Sequence, residues 1–89
     1  MKKKSKIIMA ILQRGWIFVG RMEKEGNHII LHPAVNYRYQ RSGKGFGWCA
    51  ANGPTDECKL DPCPLPVKYH ELTEVVSIEC DEKAWSKLL

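Results

Sequence analysis

The chain has 89 residues and a formal net charge of +4, with 44% hydrophobic and 27% charged residues. This length allows one small domain, and its limited core favours assembly with further copies. The lysines at positions 2, 3, 4 and 6 account for the whole net charge, since ten cations and ten acids follow them. We therefore expect a disordered basic tail at 1–6 and a single, nearly neutral domain at 7–89.

A short apolar run, Ile7–Leu12, follows the lysines. It is shorter than the apolar region of most signal peptides and lacks a small-residue cleavage pattern. No run approaches the roughly 18 apolar residues that a membrane helix needs. The sequence therefore predicts a protein that is neither secreted nor inserted in a membrane.

The first half of the chain has the alternating pattern of β-strands. Ile7–Leu12 is apolar throughout, which is typical of a central strand buried on both faces or of a strand covered by a partner chain. Strand periodicity resumes at 16–23 and 34–40, and Pro33 is expected to interrupt a short strand at 28–32. The connections are a turn at Gln13–Gly15 and a hairpin turn at 24–27 with Gly26 and Asn27.

The second half contains stronger local signals. Phe46–Asn52 is predicted to be helical, because Gly53 and Pro54 follow it in the usual order of a helix stop. A strand is expected at 55–60, and the prolines at 61–66 indicate a rigid loop without regular ladder bonding. Further strands are expected at Val67–His70 and 73–80. Asp81 then suits the N-cap of a C-terminal helix whose apolar face is Ala84, Trp85, Leu88 and Leu89.

These elements predict the fold class. About six short strands joined by tight turns, with two small helical pieces, are typical of a mainly all-β domain. We expect a small SH3-like antiparallel barrel or half-barrel, with one short helix after residue 45 and one at the C-terminus.

The cysteines and histidines do not define a metal site. Four cysteines are present, but no Cys-x-x-Cys pair, and only Cys58 and Cys63 are close in sequence. Zinc thiolates and paired disulfides remain alternatives to the favoured state, in which the thiols are reduced. His28 and His32 would share one face of a strand, more often as solvent-facing residues than as ligands. We expect no metal and no cofactor.

The segment from Arg38 to Pro54 concentrates cations, aromatic residues and glycines. Gly43, Gly45 and Gly47 would let the backbone approach a ligand and adopt positive φ, and nearby cations suit phosphate. The spacing of a P-loop or of a dinucleotide fingerprint is missing. A glycine loop that enters a helix still offers N–H groups to an anion.

The first turn carries a second concentration of functional groups. Gln13, Arg14 and Trp16 place an amide, a guanidinium and an indole around one tight turn, a combination that can bind phosphate and stack on a base. Two alternatives to a binding role are open. Trp16 would lie on the same strand face as Phe18 and could be a core residue, and Arg14 could be a solvated surface residue. The candidate ligand-binding residues are Arg14, Trp16, Arg38, Tyr39, Arg41, Lys44, Gly45, Phe46 and Gly47.

Catalytic patterns are missing from the sequence. No serine or cysteine has the context of a nucleophile elbow, and the acids of the second half are spaced as a solvated face. We therefore expect a protein that is not an enzyme.

The stretch Ile-Leu-Gln-Arg-Gly-Trp-Ile-Phe-Val-Gly-Arg-Met-Glu at 11–23 resembles a family of small uncharacterised proteins found in bacteriophages and prophages. The resemblance continues through Gly26, Arg38, Lys-Gly-Phe-Gly at 44–47, Asn-Gly-Pro at 52–54 and Asp-Glu at 81–82, and it spans nearly the whole domain. It implies a phage origin and an approximate fold, but no activity. A phage origin places the protein in the host cytoplasm.

Together these observations favour capture of a compact phosphorylated ligand. We expect a phage-encoded, non-enzymatic accessory protein that forms homo-oligomers and sequesters a small anionic nucleotide-type ligand, such as a host anti-phage defence signal. One alternative is a small barrel that binds single-stranded nucleic acid and uses the lysine tail. Another is an inhibitor that binds a host protein through an edge strand or the proline loop.

Overall fold

A computed structural model describes residues 5–40, 45–56 and 58–89, without the side chains of residues 39 and 40. The strands are β1 (Ile7–Leu12), β2 (Ile17–Glu25), β3 (His28–Gln40), β4 (Cys58–Cys63), β5 (Val67–His70) and β6 (Glu74–Glu79). The helices are α1 (Phe46–Asn52) and α2 (Glu82–Trp85), and single 3-10 turns lie at Gln13–Gly15, Glu71–Thr73 and Ser86–Leu88. The prediction of a mainly β domain with two short helices is confirmed.

All strand pairs in the described part of the chain are antiparallel. The sheet has the order β4-β3-β2-β1-β6, and β5 pairs with the first part of β3. β1 lies between β2 and β6, so it is a central strand, as its apolar run predicted. β4 and β6 do not pair with each other among the described residues, and the sheet stays open.

Each face of β1 contributes to a different hydrophobic cluster, because successive side chains point to opposite faces. The first cluster contains Ile7 and Met9 together with Val19, Val35, Tyr37, Cys49, Ala50, Cys80 and Trp85. The second contains Ile8, Ala10 and Leu12 together with Ile29, Leu31, Ala34 and Tyr69. β1 therefore has no solvent-facing side in this fold.

The second cluster requires a curved sheet. It joins side chains of β1 to side chains of β3 and β5, although β2 separates β1 from β3. The hydroxyl of Tyr69 on β5 also donates to Glu74 Oε2 at the start of β6, over 2.6 Å. The β2–β3 hairpin and β5 thus curl over one face, which gives the open half-barrel rather than the closed barrel.

Proline 33 does not end a strand, contrary to the sequence-based expectation. β3 runs from His28 to Gln40 through the cis peptide His32–Pro33. The pairing of β2 with β3 shifts register there, from Ala34 opposite Gly20 to Leu31 opposite Met22. The other edge of β3 also changes partner, from β5 before Pro33 to β4 after it. The missing N–H of proline is accommodated because it lies at this irregularity.

The prediction of a loop without ladder bonding at 61–66 is wrong for its first half. β4 includes Pro62, which lies opposite Val35, and Cys63, which lies opposite Ala34. β4 is an edge strand, so a proline is tolerated there. The loop is confined to 64–66, and the strand expected at 55–60 starts only at Cys58.

The two helices cover the first cluster. α1 ends at Asn52, and Gly53 has a φ of 91°, as the helix stop predicted. Asp81 caps α2 by accepting from the Ala84 N–H over 3.0 Å. The Trp85 indole is fully buried and donates to the Cys49 carbonyl of α1 over 2.9 Å, which locks the helices together. No helix in the described part of the chain is long and apolar enough to span a bilayer.

Residues 5 and 6 of the expected basic tail are held against the sheet. The Lys6 carbonyl accepts from the Met22 N–H over 2.8 Å, and the Ser5 carbonyl accepts from Arg21 Nη1 over 2.9 Å. The Lys6 ammonium also lies 3.5 Å from Glu79. The lysines at 2, 3 and 4 lie outside the described residues.

Candidate ligand-binding cleft

A cavity of about 290 Å³ lies where the first turn meets the second part of β3. It is lined by Arg14, Gly15, Trp16, Asn36, Tyr37 and Arg38. Three of these residues, Arg14, Trp16 and Arg38, were predicted from sequence as ligand-binding residues. The fold brings them together because β2 pairs with β3, which places the start of one strand beside the end of the other.

The turn that carries Arg14 has an unusual backbone. Arg14 has a φ of 67° and Gly15 a φ of 81°. The left-handed region is favourable for glycine but costs an L-residue with a side chain about 1 kcal/mol. The Leu12 N–H donates to the Trp16 carbonyl over 2.7 Å and closes the turn. The turn therefore holds an exposed guanidinium at the cleft at some cost in backbone strain.

Trp16 presents an aromatic surface at the cleft. Its ring lies nearly parallel to Phe18, with 6.0 Å between the ring centroids and an interplanar angle of 4°. The side chain is 54% exposed, although Phe18 is half-buried against the second cluster. Phe18 thus supports the indole from the sheet, and much of the indole remains open for stacking.

Arg38 is partly neutralised. Its Nε lies 3.4 Å from a carboxylate oxygen of Asp61, and both side chains are well exposed. Such a pair contributes little to stability, because water solvates both groups and screens their attraction. The Arg38 guanidinium is therefore available to an anion that competes with Asp61.

Asn36 is a lining residue that was missed among the sequence candidates. It lies between Phe18 on β2 and Asp61 on β4, and it is half-buried. An amide offers both hydrogen-bond donors and an acceptor. Strand alternation does place Asn36 on the same face as Arg38, and this was the available signal. A lone asparagine in a strand carries no chemistry, however, until its neighbours across the sheet are known.

Tyr37 is also a lining residue, although its side chain belongs to the first cluster on the opposite face of β3. It is only 1% exposed, and its hydroxyl lies 2.8 Å from Cys58 Sγ. Burial, followed by hydrogen bonds with Cys58 and Cys49, raises the pKa of Tyr37 above its ordinary value. This hydroxyl therefore stays protonated throughout the physiological range.

The glycine-rich candidates lie elsewhere. Phe46 packs against the first cluster and meets Tyr37 edge-on, with 6.1 Å between centroids and an interplanar angle of 81°. Gly45 and Gly47 are not among the lining residues of the cavity. Gly45 has a φ of −75°, and neither glycine adopts the positive φ expected from sequence. α1 has only seven residues, too few for a strong anion site at its start.

The remaining candidates follow Arg38 in the chain. Arg41 and Lys44 lie outside the described residues, as does Gly43, and the Tyr39 side chain is likewise not described. The backbone of Tyr39 pairs with Lys59 at the end of β3. The cleft is therefore defined by the first turn and β3.

The histidines and cysteines form no described metal centre. His28 lies opposite His70, and their rings meet edge-on with 5.3 Å between centroids. His70 Nδ1 accepts from the Leu72 N–H over 3.1 Å, so this nitrogen already has a partner. The described residues contain no group of three or more side chains suited to a metal. The four cysteines are free thiols.

The fold and the cleft define a small open antiparallel half-barrel with two arginines, an exposed tryptophan and an asparagine at one end of the sheet. Comparisons with protein-family models, with curated proteins and with solved structures found no match. The resemblance to a bacteriophage protein family therefore stays a prediction. The function is argued from the geometry of the cleft.

Proposed function

We propose that the cleft binds a small anionic ligand of the nucleotide type, and that the protein sequesters this ligand without turning it over. The observation that carries the proposal is the convergence of Arg14, Trp16 and Arg38 on one cavity of about 290 Å³. Guanidinium groups bind phosphate through paired N–H donors, and an exposed indole stacks on a base. A ligand with both a phosphate and a base satisfies both kinds of group.

The size and charge of the cleft favour a compact ligand. Its volume is at the lower end for small-molecule sites. Asp61 offsets part of the Arg38 charge, so the cleft carries a moderate positive charge. The cavity lining supplies cations, an indole and an amide, which are groups that hold a ligand in place.

Asn36 extends this proposal to the base. Asn36 lies opposite Phe18 and lines the same cavity as Trp16, and an amide can pair with a base edge that presents one donor and one acceptor. A base stacked on Trp16 would direct its edge toward β3. Asn36 would then select among bases, whereas the two arginines would recognise the phosphate.

Isothermal titration with cyclic dinucleotides and ADP-ribose derivatives tests the function. We expect at least one compound to bind with a Kd in the micromolar range and to lose affinity in the Trp16→Ala and Arg14→Ala variants. Trp48→Ala is the matched control, because Trp48 is also exposed but lies on α1, outside the cavity lining. Absence of binding below the millimolar range across the panel would reject the proposal.

The proposal also includes the oligomeric state of the protein and its cellular location. Leu72, Val75 and Val76 are exposed at and beside the edge strand β6, where a second copy would cover them. We propose a homo-oligomer encoded by a phage and acting in the host cytoplasm. Light scattering coupled to size exclusion would measure its mass, and a monomer at all concentrations would contradict the assembly.

A second candidate is binding of single-stranded nucleic acid. It is favoured by the parallel rings of Trp16, just before β2, and Phe18 on β2, since aromatic residues on an open sheet can stack on successive bases. Salt dependence separates the two functions. A strand binder should lose affinity steeply with salt and on deletion of residues 1–4, whereas a pocket binder should tolerate this deletion, which keeps the contacts of Ser5 and Lys6 with the sheet.

A further inference from the structure

Two cysteine thiols meet between α1, β3 and β4, next to the buried hydroxyl of Tyr37. Tyr37 Oη lies 2.8 Å from Cys58 Sγ, and Thr55 Oγ1 lies 3.5 Å from the same sulfur. The Cys49 side chain hydrogen-bonds to both Cys58 and Tyr37. The Cys58 sulfur is therefore surrounded by two hydroxyl groups and a second thiol.

The two thiols differ in their access to solvent. Cys49 is 0% exposed inside the first cluster, whereas Cys58 at the start of β4 is only half-buried. A reagent in solution therefore reaches Cys58 first. Cys49 can react only with a partner that is already next to it inside the protein.

The hydroxyl groups around Cys58 favour its thiolate. Tyr37 stays protonated, so its hydroxyl can donate to the sulfur. Burial acts to raise the pKa of the Cys58 thiol, but hydrogen bonds from Thr55 and Tyr37 outweigh it and hold that pKa below its ordinary value. Burial instead raises the pKa of the Cys63 thiol, and it raises that of Cys80 to about 12. The thiolate is the nucleophilic form of cysteine, so these environments separate the thiols by reactivity.

We propose that Cys58 is a redox modification site: its sulfur attacks hydrogen peroxide, and the Cys49 sulfur then reacts with the oxidised Cys58 to form an intramolecular disulfide. In the first step the thiolate sulfur bonds to one peroxide oxygen, the O–O bond breaks, and hydroxide leaves. In the second step the Cys49 sulfur attacks the Cys58 sulfenic acid, the S–O bond breaks, and water leaves as the S–S bond forms. Overall, the two thiols lose two electrons and two protons, and hydrogen peroxide becomes two waters.

The sequence makes the product easy to recognise. Trypsin cleaves after Lys44 and Lys59, so one peptide, 45–59, contains both Cys49 and Cys58. Cys63 and Cys80 fall on the separate peptides 60–68 and 69–83. An internal disulfide leaves the first peptide lighter by two hydrogen atoms and resistant to alkylation. The other two peptides then report on the remaining thiols in the same sample.

The first experiment compares thiol reactivities in the reduced full chain. A brief treatment with limiting iodoacetamide at neutral pH is followed by peptide mass spectrometry. We expect Cys58 to be alkylated at least about tenfold faster than Cys63, the matched control that is also half-buried. The Tyr37→Phe variant should lower the alkylation rate of Cys58 without changing that of Cys63. Thr55→Val should have the same effect and replaces the first variant if that one fails to fold. Equal rates for Cys58 and Cys63 in the native chain would overturn the proposal.

The second experiment adds one equivalent of hydrogen peroxide before alkylation. We expect the lighter 45–59 peptide, with Cys63 and Cys80 still alkylated. Cys49→Ser should stop the reaction at the Cys58 sulfenic acid, which dimedone traps, and Cys58→Ser should leave Cys49 reduced. Oxidation of Cys63 in preference to Cys58, or a disulfide only between chains, would also reject the assignment. None of these results depends on the ligand of the cleft.

Discussion

The ring of Trp16 lies parallel to that of Phe18, 6.0 Å away between centroids, and it is the more exposed of the two. The two side chains lie two residues apart on one face of the sheet, so Phe18 anchors the pair in the second cluster and Trp16 extends it to the cleft. From the sequence, the strand phase that Trp16 shares with Phe18 favours a position in the core as well as a position in a binding site. In the structure it supports an indole that remains available to a ligand.

Trp16→Ala should weaken binding of a nucleotide-type ligand by about 5- to 150-fold, since stacking on a base is worth roughly 1–3 kcal/mol. The midpoint of urea unfolding should change little, because the indole is 54% exposed. Titration calorimetry measures the affinity, and Trp48→Ala should leave it unchanged. A variant at Trp16 that binds as well as the native chain would remove the indole from the site.

Arg14→Gly should separate the strain of the first turn from its function. Glycine adopts the φ of 67° without a steric penalty, whereas alanine retains that penalty. Arg14→Gly should therefore be more stable than Arg14→Ala by about 1 kcal/mol. Both should bind the ligand about tenfold more weakly, because each removes the same guanidinium. Urea unfolding and calorimetry measure the two effects, and equal stability of both variants would contradict the role of strain.

Asp61→Asn should increase the affinity for a phosphate-containing ligand by about two- to fivefold. The change removes the carboxylate that lies 3.4 Å from Arg38, and with it up to about 1 kcal/mol of repulsion toward an anion. The free energy of unfolding should change by less than about 0.5 kcal/mol, as is usual for exposed ion pairs. Glu25→Gln breaks a similarly exposed pair with Lys68 away from the cleft and serves as the control. Lower affinity in Asp61→Asn would indicate that the carboxylate itself contacts the ligand.

Gly20→Ala should destabilise the domain by about 2 kcal/mol or more. A Cβ atom there would lie 2.6 Å from the Pro33 carbonyl oxygen and 2.8 Å from the Ala34 Cβ, where β2 and β3 change register. Gly47→Ala is the contrasting variant, since its Cβ would meet open space. Alanine also favours the helical conformation of α1, so this change should increase the free energy of unfolding by about 0.5–1 kcal/mol. Thermal unfolding should rank the Gly47 variant above the native chain and the Gly20 variant below it.

The stability of the domain should fall as the pH rises above about 9. Burial raises the pKa of Cys80 from 9.0 to about 12, so the unfolded chain loses this proton at a lower pH than the folded chain does. The stabilising contribution is complete below pH 9 and is lost between pH 9 and 12. Urea unfolding at pH 8, 9 and 10 should show the decline, and Cys80→Ala should reduce its slope. The same slope in that variant would assign the decline to other groups.

Elements with local signals were predicted well from the sequence. Gly53 and Pro54 end α1, and the Asp81 side chain begins α2, because helix stops and N-caps depend on residues within one turn. The apolar run Ile7–Leu12 also indicated a central strand, because a strand with apolar side chains on both faces must be covered on both faces. The path of β3 through Pro33 was not predictable in this way. It depends on strands that pair on either side of the proline and are distant in sequence.

The residue types of the candidate site, a guanidinium and an indole at the first turn and further cations after β3, were determined by the sequence alone. Only the tertiary structure decided which of them meet. Pairing of β2 with β3 brings Arg14 and Trp16 to Asn36 and Arg38, whereas Phe46 turns into the first cluster beside Tyr37. Convergence of this kind depends on strand register and sheet curvature, which arise from long-range packing and leave no signal in a short stretch of sequence.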